Sequence, residues 1–346
     1  MSNILSIKNL GPIKSVELQL SKINVLIGNQ GTGKSTVAKT VIAIDNTFYR
    51  DLFDIPENSA INRETQLFLE YLKIVGIEGY IRPDTEILYS KDEYSFEYKL
   101  GRAKFTTTNT DFNQRLSYNF NYIPAERILV ATLSNSLYSL MLNEVSLPKL
   151  FLRFGDKFQK GRQQKKVFSF QKILGIDYKY AADKDIVILP SGKEIFINEA
   201  SSGIQGSIPL LVVFDYISTS ENGNLLVIEE PELSCFPETQ NKLIRHFVET
   251  NKHISKENGY KNQLLITTHS PYILTSLNNL MYAYIVGKNH SNEVKKIIDE
   301  KYWLSPKDLS AYIMLSNGKC ESIIDKEGLI KAEKIDSVSS ILKKDF

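Results

Sequence analysis

Apolar and polar residues alternate at the start of the chain. Ile4-Leu5-Ser6-Ile7 and Ser15-Val16-Glu17-Leu18-Gln19-Leu20 have the two-residue period of half-buried strands, with Gly11-Pro12 between them. They predict an antiparallel pair. Ile23-Asn24-Val25-Leu26-Ile27 is almost continuously apolar and predicts a strand covered on both faces. It leads through Gly28–Thr36 into a helical pattern over Val37–Asp45. Further on, Thr65–Val75 predicts a helix, and Glu86–Thr107 short strands around Gly101. Ile128–Leu174 reads as largely helical, broken at Pro148 and Gly161. Strand-like segments follow at Ile176–Tyr180, Ile186–Leu189 and Ile195–Asn198. Then come a helix from Gly203 to about Ser218, a buried strand Leu225–Ile228 and a helix from Glu238 to about His253. A buried strand Leu264–Thr268, a helix Pro271–Leu280 and a tail of short elements complete the pattern. Very apolar strands alternating with helices predict an α/β fold with a mostly parallel central sheet.

Composition narrows the classes. Of 346 residues, 42% are hydrophobic and 24% charged, with a net charge of +2, which fits a soluble globular chain. No global field draws such a chain to nucleic acid or membrane, so any such contact must be local. One local candidate is the basic run Lys157, Lys160, Arg162, Lys165, Lys166 and Lys172, with Phe158, Phe168 and Phe170 interleaved. It reads either as a nucleic-acid contact or as a solvated face. The two cysteines, Cys235 and Cys320, and the four histidines lack zinc-site spacing and suit a reducing compartment. No apolar run reaches the length of a membrane span, and the opening residues lack the apolar centre of a signal peptide. The expectation is a cytoplasmic protein without a membrane partner.

Gly28-Asn29-Gln30-Gly31-Thr32-Gly33-Lys34-Ser35 satisfies G-x-x-x-x-G-K-[ST], with Thr36 following and the required strand before and helix after. Glycines let backbone N–H groups turn inward around phosphates, and the new helix adds its positive end. Lys34 is placed for the β- and γ-phosphates and the Ser35 hydroxyl for Mg²⁺. The predicted cofactors are ATP and Mg²⁺. Leu225-Leu226-Val227-Ile228-Glu229-Glu230-Pro231-Glu232 ends an apolar strand in carboxylates, and ligands of parallel sheets bind beyond the carboxyl ends of the strands. Glu229 is assigned to the metal, Glu230 to the base that deprotonates water, and Glu232 to an outer charge. Leu264–Thr268 likewise ends in His269-Ser270-Pro271, and His269 is placed to sense a γ-phosphate or the attacking water. His246, His253 and His290 read as structural or surface residues. Ser201-Ser202-Gly203-Ile204-Gln205 opens an apolar helix, with Ser202 as N-cap.

In this order, phosphate loop, Ser-Gly-x-Gln, acidic strand and histidine switch resemble the heads of ABC-type ATPases, in the OLD-like and SMC/RecF-like branch. Pro237, Gln240 and Tyr122-Ile123-Pro124-Ala125-Glu126-Arg127 strengthen the resemblance. Departures are Gln30 for the usual Asn, Ser201 and Ile204 for Leu and Gly, Glu229 for the transporter Asp, and Cys235-Phe236 after the acids. The resemblance implies a P-loop NTPase head with a mixed sheet and an N-terminal antiparallel β subdomain. The head takes residues 1–45 and 176–300, a mostly helical lid 46–175, and a C-terminal appendage 301–346. It further implies a Mg²⁺-dependent ATPase yielding ADP and phosphate, with Glu230, His269 and Lys34 catalytic. Gly28–Thr36, Ser202, Gly203 and Gln205 would bind nucleotide, and Ser35 and Glu229 metal. Two chains would sandwich ATP head to head, with Cys235 in a loop turned to the other subunit. OLD-like ATPases often control a nuclease or toxin in bacterial anti-phage modules, so a separate effector is expected. The alternative is a repair or maintenance ATPase acting directly on DNA.

Overall fold

The computed structural model describes residues 3–51, 62–91, 94–107, 118–133, 146–219, 223–257, 262–331 and 333. Its strands in chain order are β1 (Asn3–Leu10), β2 (Ile13–Leu20), β3 (Ile23–Gly28), β4 (Glu86–Ser90), β5 (Tyr94–Lys99), β6 (Arg102–Thr107), β7 (Tyr118–Ile123), β8 (Val167–Ser169), β9 (Asp177–Ala181), β10 (Lys184–Ile188), β11 (Glu194–Phe196), β12 (Gly223–Glu229), β13 (Gln263–Thr268), β14 (Leu309–Met314) and β15 (Cys320–Ser322). Its α-helices are α1 (Lys34–Asn46), α2 (Arg63–Ile74), α3 (Ile128–Leu133), α4 (Lys149–Gln164), α5 (Gln171–Leu174), α6 (Ser202–Ser218), α7 (Pro237–Glu257), α8 (Pro271–Gly287) and α9 (Ser291–Ile297).

The strands form three sheets. The central one has the order β15-β14-β3-β13-β12-β7, parallel throughout except for the β14–β15 pair. An antiparallel sheet in the order β2-β1-β4-β5-β6 contains the predicted N-terminal pair, and a second antiparallel sheet runs β11-β10-β9-β8. The fold is the expected α/β class with a mixed sheet.

The two-residue strand period divides the central sheet between two cores. Val25, Ile27, Ile228 and Ile266 pack into one, against α6, α7 and α8. Leu26, Leu225, Val227 and Leu265 pack into the other, with α1, α2 and the N-terminal antiparallel sheet. Both faces are therefore dry, which is why these strands read as unbroken apolar runs.

The expected lid and appendage boundaries do not coincide with this layering. β7, inside 46–175, pairs with β12 in the central sheet, and β4, β5 and β6 extend the N-terminal sheet from β1. β14, inside 301–346, pairs in parallel with β3 and is buried at all but one position. Burial of these strands joins both segments to the head; residues 334–346 lie outside the described part. Pro148 ends up as the cap of α4, but Gly161 does not break that helix. A Cβ there would lie 3.1 Å from side-chain atoms of Val212 and Tyr216, so the glycine lets α4 press against α6. Among the described residues no helix is long and apolar enough to cross a membrane.

Candidate functional site

The phosphate loop joins β3 to α1. Gly31 and Gly33 have φ of 76° and 97°, values that favour glycine, and a Cβ on Gly33 would meet Ile13 at 2.8 Å. The Thr32 hydroxyl donates to the Asn29 carbonyl at 2.8 Å and closes the loop on itself. Lys34 is buried, and its Nζ donates to the carbonyls of Gly28 at 2.8 Å and Asn29 at 2.9 Å. Burial lowers its pKa, while the charges of Glu230, Glu232 and Glu229 oppose that shift. Ser35 is half-buried, Thr36 is buried in α1, and Asn29, Gln30 and Gly31 are exposed.

The acidic tip of β12 lies one strand away from β3, across β13. Glu229 is 6% exposed, and its Oε1 is buried without a hydrogen-bond partner. Burial first, and the Glu229 charge second, hold the Tyr122 phenol of β7 well above its usual pKa. Glu230 adopts a left-handed φ of 43°, and its N–H donates to the Thr267 carbonyl at 2.8 Å. That turn carries its Oε1 to 3.2 Å from His269 Nε2, and the same Nε2 lies 3.2 Å from Lys34 Nζ. Three strand ends thus bring Lys34, Glu230 and His269 together.

Two further residues build this cluster. Arg127, 1% exposed, donates to four carbonyls: Gly206 at 3.1 Å, Pro124 at 3.2 Å, and Glu229 and Glu230 at 2.8 Å each. Burial lowers its pKa to about 10, with the nearby carboxylates opposing the shift. Glu232 is more than an outer charge, because its Oε1 accepts from Thr268 Oγ1 and from the His269 N–H, each at 2.7 Å. The sequence offered only motif membership as a signal for these two. Gln240 Oε1 accepts from Ser270 Oγ at 2.6 Å, and its Nε2 donates to the Cys235 carbonyl at 2.9 Å.

The Ser-Gly segment stands at the start of α6. Ser201, not Ser202, holds the N-cap position; its side chain makes no capping bond, and Ser202 is the exposed first helical residue. Gly203 abuts the turn after the acidic tip, where an added Cβ would meet the Ser234 carbonyl oxygen at 2.5 Å. Gln205 donates to the carbonyls of Asn198 at 3.1 Å and Ala200 at 2.7 Å, fixing the approach to α6. Cys235 turns inward: its Sγ is 3.4 Å from Ser207 Oγ of its own chain, whereas Phe236 is 77% exposed.

The basic run does not form one cationic face. Phe158, Phe168 and Phe170 are core residues, so none can stack on a base. Lys157 bonds Phe120 and Asn121, Lys160 pairs with Asp156, and buried Arg162 pairs with Asp185. Lys165, Lys166 and Lys172 are exposed. His246 pairs with Asp215 at 3.2 Å, exposed His290 precedes α9, and the side chain of His253 lies outside the described residues. Among the described residues no three His, Cys, Asp or Glu side chains converge as a metal site.

The AAA ATPase domain profile matches residues 1–145 and 142–274, most of the chain. The chain belongs to the AAA ATPase domain family. As a member, it is a nucleotide-binding P-loop ATPase. No curated protein matches it. Among solved structures, the SMC head domain from Thermotoga maritima is 12% identical, over 93% of this chain and 98% of its own, with a TM-score of 0.45. An SMC head bound to the C-winged helix domain of ScpA is 12% identical over 96% and 98%, with a TM-score of 0.46. An SMC head with an extended coiled coil, bound to the C-terminal domain of ScpA from Pyrococcus furiosus, is 11% identical over 98% of each chain, with a TM-score of 0.46. Superpositions this loose transfer no residue roles.

Proposed function

We infer that this AAA ATPase is a switch that dimerises around ATP, hydrolyses it, and through that cycle controls a separate effector. The observation that carries the reading is the convergence of Lys34, Glu230 and His269 within 3.2 Å contacts. Lys34 holds its ammonium on two loop carbonyls that phosphate oxygens would replace as partners. Glu230 is the general base: its carboxylate stands beside His269 at the carboxyl ends of β12 and β13 and accepts a proton from the attacking water. His269 donates from Nε2 to the γ-phosphate or orients that water. Glu229 and Ser35 are the residues that would hold Mg²⁺, and the buried unpartnered Oε1 of Glu229 suits a hard cation. When bound, that ion neutralises charge building on the β- and γ-oxygens.

The dimer is supported by what surrounds the tip. Ser202 opens α6 exposed, without a side-chain cap beneath it, and Leu233 and Phe236 are exposed beside it. In the proposed arrangement Ser202 and Gly203 of the partner subunit face ATP held by Lys34. The N-terminus of that helix favours an anion. The effector is proposed to be a nuclease or toxin and the setting cytoplasmic anti-phage defence, on the OLD-like resemblance of the Glu229-Glu230-Pro231-Glu232 tip. Direct action on DNA keeps one specific support, the exposed Lys165, Lys166 and Lys172. Phosphate release per chain, followed against protein concentration, tests the switch. It should rise with concentration and vanish in Glu230→Gln; a rate per chain independent of concentration contradicts it.

A further inference from the structure

We propose that Glu232 is the positioning residue that holds His269 within reach of Lys34 and Glu230, coupling the acidic strand tip to the switch strand tip. This rests on the hydrolytic reading above. β13 ends at Thr268, so the His269 N–H has left the sheet ladder and needs another acceptor. Glu232 supplies it from the turn after β12. The same Oε1 accepts from the Thr268 hydroxyl, which itself accepts from the Ser270 N–H at 2.9 Å. One carboxylate oxygen thereby fixes two successive backbone N–H groups, one directly and one through a hydroxyl. Bonds of this kind to an ionised acceptor are stronger than neutral ones.

The imidazole depends on that backbone. Its hydrogen-bonding contacts among the described residues are both at Nε2, with Lys34 and Glu230. Each of those partners has work of its own when phosphate arrives, so neither can serve as a fixed support. The position of the ring is then set by the residue 268–270 backbone, and that backbone is tied to Glu232 and, through Ser270, to Gln240. The other oxygen of Glu232, Oε2, is buried without a partner, so nothing else orients the carboxylate away from this task.

A double-mutant cycle separates positioning from bulk stability. Glu232→Ala should lower kcat about 30-fold while ATP Kd stays within about threefold. Glu232→Ala combined with His269→Ala should be no slower than His269→Ala alone. Losses that multiply in the double variant, or a Glu232→Ala enzyme with wild-type kcat, overturn the proposal. Amide hydrogen exchange over Leu265–Tyr272 decides it independently of turnover. If the wild-type chain fails to hydrolyse ATP, the hydrolytic reading falls, and exchange still tells whether Glu232 holds the switch. Faster exchange at His269 and Ser270 in Glu232→Ala upholds the clasp; unchanged exchange overturns it.

Discussion

His269 Nε2 lies 3.2 Å from Glu230 Oε1 and equally far from Lys34 Nζ. One ring nitrogen cannot accept from the ammonium and donate to the carboxylate at the same time. A phosphate that draws Lys34 away leaves Nε2 to donate toward Glu230 or the phosphate. His269→Ala should therefore lower kcat about 100-fold and leave ATP affinity within a few-fold. Steady-state phosphate release beside equilibrium nucleotide binding checks the split.

Lys34→Ala removes the loop's one buried ammonium and should weaken ATP binding about 10- to 100-fold. Chelation of divalent ions should reduce hydrolysis to background, and Glu229→Gln should do the same at saturating ATP. A fluorescent nucleotide titration measures the first, and phosphate release with and without Mg²⁺ measures the second.

Arg127 satisfies four carbonyls from three segments of the chain around the acidic tip. Removing a buried charged partner leaves those acceptors unsatisfied. Arg127→Gln should lower unfolding free energy by about 3 kcal/mol, read from urea denaturation.

Two glycines three residues apart in α6 should answer alanine in opposite directions. Gly203 has the Ser234 carbonyl oxygen 2.5 Å from where a Cβ would sit, whereas Gly206 has nothing within 4 Å. Gly203→Ala should cost about 1–3 kcal/mol through overpacking. Gly206→Ala should add about 0.5–1 kcal/mol through helix propensity. Thermal melts of the two variants compare them directly.

The strand–loop–helix of the phosphate site and the strands β12 and β13 were legible because local chemistry and local period agree there. Gly28–Ser35 needs a strand before it and a helix after it, and Leu264–Ile266 is a continuous apolar run. Sheet membership was less accessible. β14 pairs with β3 across nearly the whole chain, and no periodicity in Leu309–Met314 names that partner. Gly161 shows the same limit: a helix breaker by propensity stays helical where α4 lies too close to Val212 and Tyr216 of α6 to leave easy room for a Cβ. In the site, Glu230 and His269 stood out as polar ends of apolar strands. The roles of Glu232 and Arg127 did not, because their partners, the Thr268 hydroxyl and several backbone groups, are brought near only by the fold.

The central claim is that ATP joins two of these chains through the Lys34–Glu230–His269 site. Light scattering on Glu230→Gln, which should bind ATP without turning it over, tests it most directly. The account predicts a monomer without nucleotide and twice that mass with Mg²⁺ and ATP, lost again in Lys34→Ala. A variant that binds ATP and keeps the monomer mass at every protein concentration would contradict it.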